Sequence, residues 1–218
     1  MVTAGSRVRD PAKFGAETTA SEVAEGIDLS GKVALITGGS SGLGQETTRV
    51  LAERGAHVIL TARDMSKGEA VAAGIRASTG NQHVEVEELE LGSLKDIRAF
   101  VQRFLARHPT LHILVNNAGV MACPPAKTTD GFELQFGSNH LGHFLTTCLL
   151  APALRRAAPS RVVSVSSAVD GSEHLELVRA LHSPARIREL RADAVARRRP
   201  LGSNARARTA ASRPSGAR

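Results

Sequence analysis

Between Lys32 and Ser166 five short apolar runs alternate with amphipathic stretches long enough for helices, and this alternation restricts the fold more than any other feature of the chain. The runs are residues 33–37, 57–61, 84–89, 111–116 and 161–166. Most are apolar at consecutive positions, as strands covered on both faces require. Short buried strands separated by helices imply a parallel sheet with helices on either side, because a parallel return needs a crossover. The stretch before the fourth run is the clearest helix. Ser93 with Asp96 three residues on has the form of a capping box, and Ile97, Phe100, Val101, Phe104 and Leu105 repeat at helical spacing. Residues 128–158 read as mostly helical, with Gly131, Gly137 and Gly142 as weak points and Pro152 as a break or kink. Five strands with right-handed crossovers predict an α/β fold, a doubly wound, Rossmann-like parallel sheet that is incomplete after its fifth strand.

The first strand run leads into Thr37-Gly38-Gly39-Ser40-Ser41-Gly42-Leu43-Gly44, after which a helical pattern begins. A glycine-rich turn between strand and helix lets the backbone approach a pyrophosphate, whose charge meets the free N–H groups at the helix N-terminus. No Lys-Ser or Lys-Thr follows, so the turn is not that of a nucleotide triphosphatase. The alternative is a tight turn with no ligand. After the second strand comes Thr61-Ala62-Arg63-Asp64, where NAD-selective folds carry an acid for the ribose diol. Ala62 supplies none, and Arg63 can meet a 2′-phosphate, which favours NADP over NAD. The alternative is a solvated surface Arg63, with Asp64 only capping the next helix.

Charge divides the chain. It carries 28 Lys+Arg against 21 Asp+Glu, a formal net charge of +7. Residues 170–218 hold eleven Arg, no Lys and five acids, so six of the seven net charges lie there. All six Phe and all five Lys precede that segment. It contains little that could be buried, and 191–218 reads as disordered. The expected organisation is an N-terminal arm (1–31), a dinucleotide-binding domain (32–167) and an Arg/Ala-rich tail (168–218). Cys123 and Cys148 are too few for a disulfide framework or a zinc site, and His140 with His143 lacks a third ligand at suitable spacing, so no metal is expected. No apolar stretch approaches the roughly 20 residues of a membrane span, and the N-terminus has no signal-peptide core. These features predict a cytoplasmic protein.

The glycine turn, Asn116-Asn117-Ala118-Gly119 after the fourth run, Asn139-His140-Leu141-Gly142-His143-Phe144, and Val163-Ser164-Val165-Ser166-Ser167 together resemble the short-chain dehydrogenases/reductases. The lead-in through Gly26-Ile27-Asp28-Leu29-Ser30-Gly31-Lys32 and the Asn-His-Leu-Gly-His-Phe string are similar to the retinol-dehydrogenase and WW-domain-oxidoreductase branch. The resemblance implies that Gly38, Ser40, Ser41, Gly42, Leu43 and Gly44 cradle the cofactor phosphates. It places Asn117, Ala118 and Gly119 along the adenosine and ribose, with Glu90 and Leu91 where the family has Asp-Leu against adenine. Asn139 matches the Asn that organises a proton-relay water, and Ser167 the Ser that hydrogen-bonds the substrate carbonyl.

The implied activity is hydride transfer between NADP(H) and an alcohol or carbonyl of a small lipophilic molecule. In the family a Tyr moves the proton and a Lys four residues later lowers its pKa. Here there is no Tyr, and the last Lys is Lys127. The expectation is therefore a chain that retains the cofactor-binding half, is inactive or strongly impaired, and has lost the family's oligomer surface. The composition change near Ala168 suggests a change of reading frame or a misassigned coding region. The long helix's apolar face, including Leu145, Leu149 and Leu150, is expected to lose its cover, and the fifth strand to become an apolar edge. The alternatives are a non-catalytic dinucleotide-binding module and nucleic-acid binding through the Arg-rich tail. The latter is disfavoured because the tail lacks interleaved aromatics.

Overall fold

The computed structural model describes residues 14–166. Strands β1 (Val33–Ile36), β2 (His57–Ala62), β3 (Val84–Glu88), β4 (Ile113–Asn116) and β5 (Arg161–Ser164) form one sheet in the order β3-β2-β1-β4-β5, and every neighbouring pair is parallel. The order turns back at β1, with β2 on one side and β4 on the other. A crevice is therefore expected at the carboxyl ends of β1, β2 and β4.

The pleat sends alternate side chains to opposite faces, and each face has its own core. Ala34, Ile36, Val58 and Leu60 pack with Ala52 of α2 (Gly42–Glu53) and Ala72 and Ile75 of α3 (Met65–Thr79); the short helix α1 (Ala20–Val23) precedes them in the chain. Leu35, Ile59 and Leu114 pack with Ile97, Phe100 and Phe104 of α4 (Leu94–Arg107) and Leu150 and Ala153 of α5 (His143–Arg156). Phe100 and Phe104 are wholly buried, and each contributes about 1.5–3 kcal/mol by leaving water.

Local signals fix the ends of the helices. At α4, Ser93 Oγ accepts from Asp96 N (3.2 Å), while Leu94 N donates to Asp130. At α3, Asp64 accepts from Lys67 N (3.0 Å) and Gly80, at φ +73°, ends the helix in the left-handed conformation. A capping box of Thr19 and Glu22 holds α1. Ser21 ties α1 to α2: its hydroxyl donates to Glu53 and accepts from Arg49, and Arg54 donates to its carbonyl (3.0 Å).

Residues 128–158 are mostly helical, as expected, but the helix starts later and is not broken at Pro152. Residues 129–132 make turns and bends, Lys127 and Glu133 form an isolated bridge, and Phe136–Gly142 is π-helical before α5 begins. Pro152 lies inside α5 without ending it. The carbonyl its missing N–H leaves unbonded belongs to Cys148, an exposed residue, so water can satisfy it. Leu150 is wholly buried and Leu145 and Leu149 pack against the core, so this face of α5 keeps its cover, supplied by α4 and β4. Phe144 is the exposed apolar residue there. Among the described residues β5 is the sheet edge, with Val162 and Val163 half exposed. No helix of the described residues is long and apolar enough to cross a membrane. Ser167 and the tail lie outside the described residues.

Candidate functional site

The turn from β1 into α2 is built so closely that side chains are excluded. Gly38 has φ +66°, and a Cβ there would lie 2.8 Å from Ala118 Cα. A Cβ on Gly44 would fall on the Gly38 carbonyl and the Asn117 side-chain amide. Backbone thus meets backbone across β1 and β4, which only glycine permits. Ser41, the N-cap of α2, makes no side-chain capping bond. The first N–H groups of this twelve-residue helix are left for an anion.

Asn117-Ala118-Gly119 is held against this turn by a buried polar cluster. Thr37 Oγ1 accepts from Asn117 N (2.9 Å) and Ala118 N (3.0 Å), and lies 2.8 Å from His143 Nε2. His143 Nδ1 lies 2.8 Å from the Asn139 carbonyl oxygen, which can only accept. The ring proton of neutral His143 therefore sits on Nδ1, and Thr37 donates its hydroxyl hydrogen to Nε2. Burial holds the His143 imidazole below its ordinary value; the bond to Asn139 opposes this shift and His140 adds to it. Asn117 Nδ2 donates to Thr37 O (2.9 Å) and Gly38 O (3.3 Å). The Asn139 side chain pairs with the Val120 backbone, accepting from N (2.9 Å) and donating to O (2.8 Å). One strand end, two loops and the π-helical turn are thereby locked together.

These elements enclose a groove of about 380 Å³ at the carboxyl ends of the strands. Gly38, Ser40, Ser41, Leu43, Gly44, Arg63, Glu90, Leu91, Asn117, Ala118, Gly119 and Asn139 all line it. Gly42 does not: it starts α2 at φ +53° and faces the side between α2 and α3. Thr61, Ala62, Leu89, Val120, Ser138 and Val165 complete the wall, and none of them was assigned to the site from the sequence. His143 and Thr37, which set its shape from behind, were also missed. The available signal was the spacing of His143 four residues after Asn139, one helical turn.

Two charged residues set the electrostatics. Arg63 is exposed at the groove and makes no hydrogen bond or ion pair among the described residues, whereas Asp64 is committed to capping α3. The Glu90 carboxylate turns back to accept from Gly92 N (2.7 Å). Its reach into the groove is therefore shortened.

The comparisons with known proteins agree with this geometry. Residues 32–177 match the family model for short chain dehydrogenase. The chain belongs to the short chain dehydrogenase family. It is 57% identical over 141 residues to retinol dehydrogenase 12 of Mus musculus, covering 65% of this chain and 45% of that protein. It is 55% identical over 141 residues to retinol dehydrogenase 11 of Homo sapiens, covering 65% and 44% respectively. The chain thus spans less than half the length of these short chain dehydrogenase relatives. Among solved structures, a metagenomic short-chain oxidoreductase in complex with NADP aligns with TM-score 0.58 and 34% identity over 66% of each chain.

Proposed function

We propose that this chain binds NADP(H) in the groove above the glycine turn and is the cofactor-binding half of an oxidoreductase acting on an alcohol or carbonyl group of a lipophilic molecule. The observation that carries the reading is the uncapped N-terminus of α2, facing a turn with no room for a Cβ at Gly38 or Gly44. Such a cradle fits a pyrophosphate. Gly38, Ser40, Ser41, Leu43 and Gly44 hold the phosphates, with Gly42 supplying the backbone bend. Asn117, Ala118 and Gly119 line the ribose path, with Glu90 and Leu91 by the adenine. Arg63, without a competing partner, pairs with the 2′-phosphate and gives preference over NAD. The bound dinucleotide supplies the hydride.

The substrate class is inferred from the retinol dehydrogenases the chain is similar to. Ser167 is assigned to the substrate carbonyl, and Asn139 to positioning through its backbone carbonyl, which His143 holds. The 218 residues contain no Tyr to deliver the proton, a contribution worth about 10² to 10⁴ in rate, so turnover is strongly impaired while binding persists. Titration of the full chain with NADPH, followed by nicotinamide fluorescence, should saturate, with NADH at least about tenfold weaker. Failure of both nucleotides to bind a chain shown to be folded by circular dichroism would sink this reading.

A further inference from the structure

A second cluster of chemically capable side chains lies at the other end of the sheet. His57 is the first residue of β2, Glu85 the second of β3, and His108 the residue on which α4 ends. His57 Nε2 is 2.6 Å from Glu85 Oε1, and His108 Nε2 is 3.9 Å from Glu85 Oε2. The two imidazoles meet edge to face with centroids 5.0 Å apart. One ligand atom from each of the three residues lies within 4.8 Å of the others. The groove is remote, since the six residues of β2 from His57 to Ala62 span about 16 Å at strand rise.

The decisive atom is His108 Nε2. Its side chain is 8% exposed, yet Nε2 has no hydrogen-bond partner among the described residues. Buried polar atoms are nearly always satisfied, and one left open towards a His and a carboxylate calls for an occupant. We propose that His57, Glu85 and His108 bind a divalent transition-metal ion, zinc by preference, that fastens β2, β3 and the end of α4 together. Two imidazole nitrogens and one carboxylate oxygen form the donor set of three-ligand zinc sites, and water takes the fourth position. Magnesium and calcium prefer an all-oxygen set.

Arg107 prepares the carboxylate. Its guanidinium donates to Glu85 Oε2 and Glu87 Oε1, leaving Glu85 Oε1 turned towards His57. On binding, the hydrogen bond between His57 and Glu85 is exchanged for two metal–ligand bonds. The His57 ring proton then resides on Nδ1, and each imidazole binds through a neutral Nε2 lone pair. Zinc–nitrogen bonds of about 2.0–2.1 Å require the donors to draw together, and His108, at a helix end, is placed to move. The sequence hides this site because His57, Glu85 and His108 stand 28 and 23 residues apart on different elements.

The test is calorimetric titration of the chelator-dialysed full chain with zinc chloride, together with the visible absorption of its cobalt(II) form. The expected result is one equivalent bound, cobalt d–d bands without thiolate charge transfer, and a thermal midpoint that rises with zinc. His108→Gln and Glu85→Gln should each weaken binding by at least about tenfold, and a Cys123→Ser/Cys148→Ser variant should bind as the parent does. If His108→Gln does not fold, Glu85→Gln and His57→Gln carry the comparison. The proposal is overturned by no saturable zinc binding, by binding that these substitutions leave unchanged, or by binding that the cysteine variant loses.

Discussion

Arg63 was legible in the sequence because its place after the second strand is fixed by topology, and the structure puts it on the groove with its guanidinium uncommitted. A charge-assisted hydrogen bond is worth about 1.5–3 kcal/mol. Arg63→Ala should therefore weaken NADPH by about tenfold or more while leaving NADH nearly unchanged, and parallel fluorescence titrations decide it; equal losses for both nucleotides would show that Arg63 does not read the phosphate. Thr37 was not legible as more than the start of a turn, since its partner His143 lies 106 residues away. Thr37→Val removes one acceptor and one donor at once, stranding Asn117 N, Ala118 N and His143 Nε2. Each stranded buried group costs about 1–3 kcal/mol. Thr37→Val should lose about 3 kcal/mol in urea unfolding, and Thr37→Ser, which keeps the hydroxyl, less than about 1.5 kcal/mol; comparable losses for the two would refute the network.

Elements were readable where local chemistry and burial agree. The α4 helix has both a capping serine and an apolar stripe, and the structure buries Ile97, Phe100, Val101 and Phe104 from that stripe. The π-helical turn had no such signature, because no side-chain preference marks the wider ring. Its setting is tertiary: Gly142 packs so closely on Leu91 that a Cβ would lie 2.5 Å from the Leu91 carbonyl. The strand–turn–helix unit gives the sharpest test at this scale. Gly38→Ala forces a left-handed φ on a residue with a Cβ and drives that Cβ against Ala118. About 1–3 kcal/mol of stability should go. NADPH affinity should fall at least about tenfold, because the displaced backbone is the phosphate cradle itself. A Gly38→Ala chain with parental affinity would mean that the groove does not bind through this turn.

For the whole molecule, strand alternation conveyed the layered sheet, but not which buried polar groups join its layers. Two such joining groups, the buried His143 and the half-buried His112, are histidines that work only when neutral. His143 Nε2 accepts from Thr37, and His112 Nδ1 accepts from Val33 N (3.0 Å), each joining β1 to an element beyond it. Burial lowers both pKa values, with His140 adding to the shift at His143 and Lys32 at His112. The unfolded chain, with its histidines near 6.5, therefore takes up protons that the folded chain refuses. Their contribution to stability is complete above that value and is lost as pH falls below it towards the depressed folded values. Each such histidine gives a slope of at most about 1.4 kcal/mol per pH unit. In chelator-containing buffer, which keeps any metal at His57 and His108 out of the comparison, the thermal midpoint should drop between pH 7.5 and 5.5. The drop should be smaller in His143→Gln, whose amide retains a donor and an acceptor without titrating. A midpoint that rises on acidification, or a drop of the same size in His143→Gln, would mean that this buried imidazole does not couple the sheet to pH.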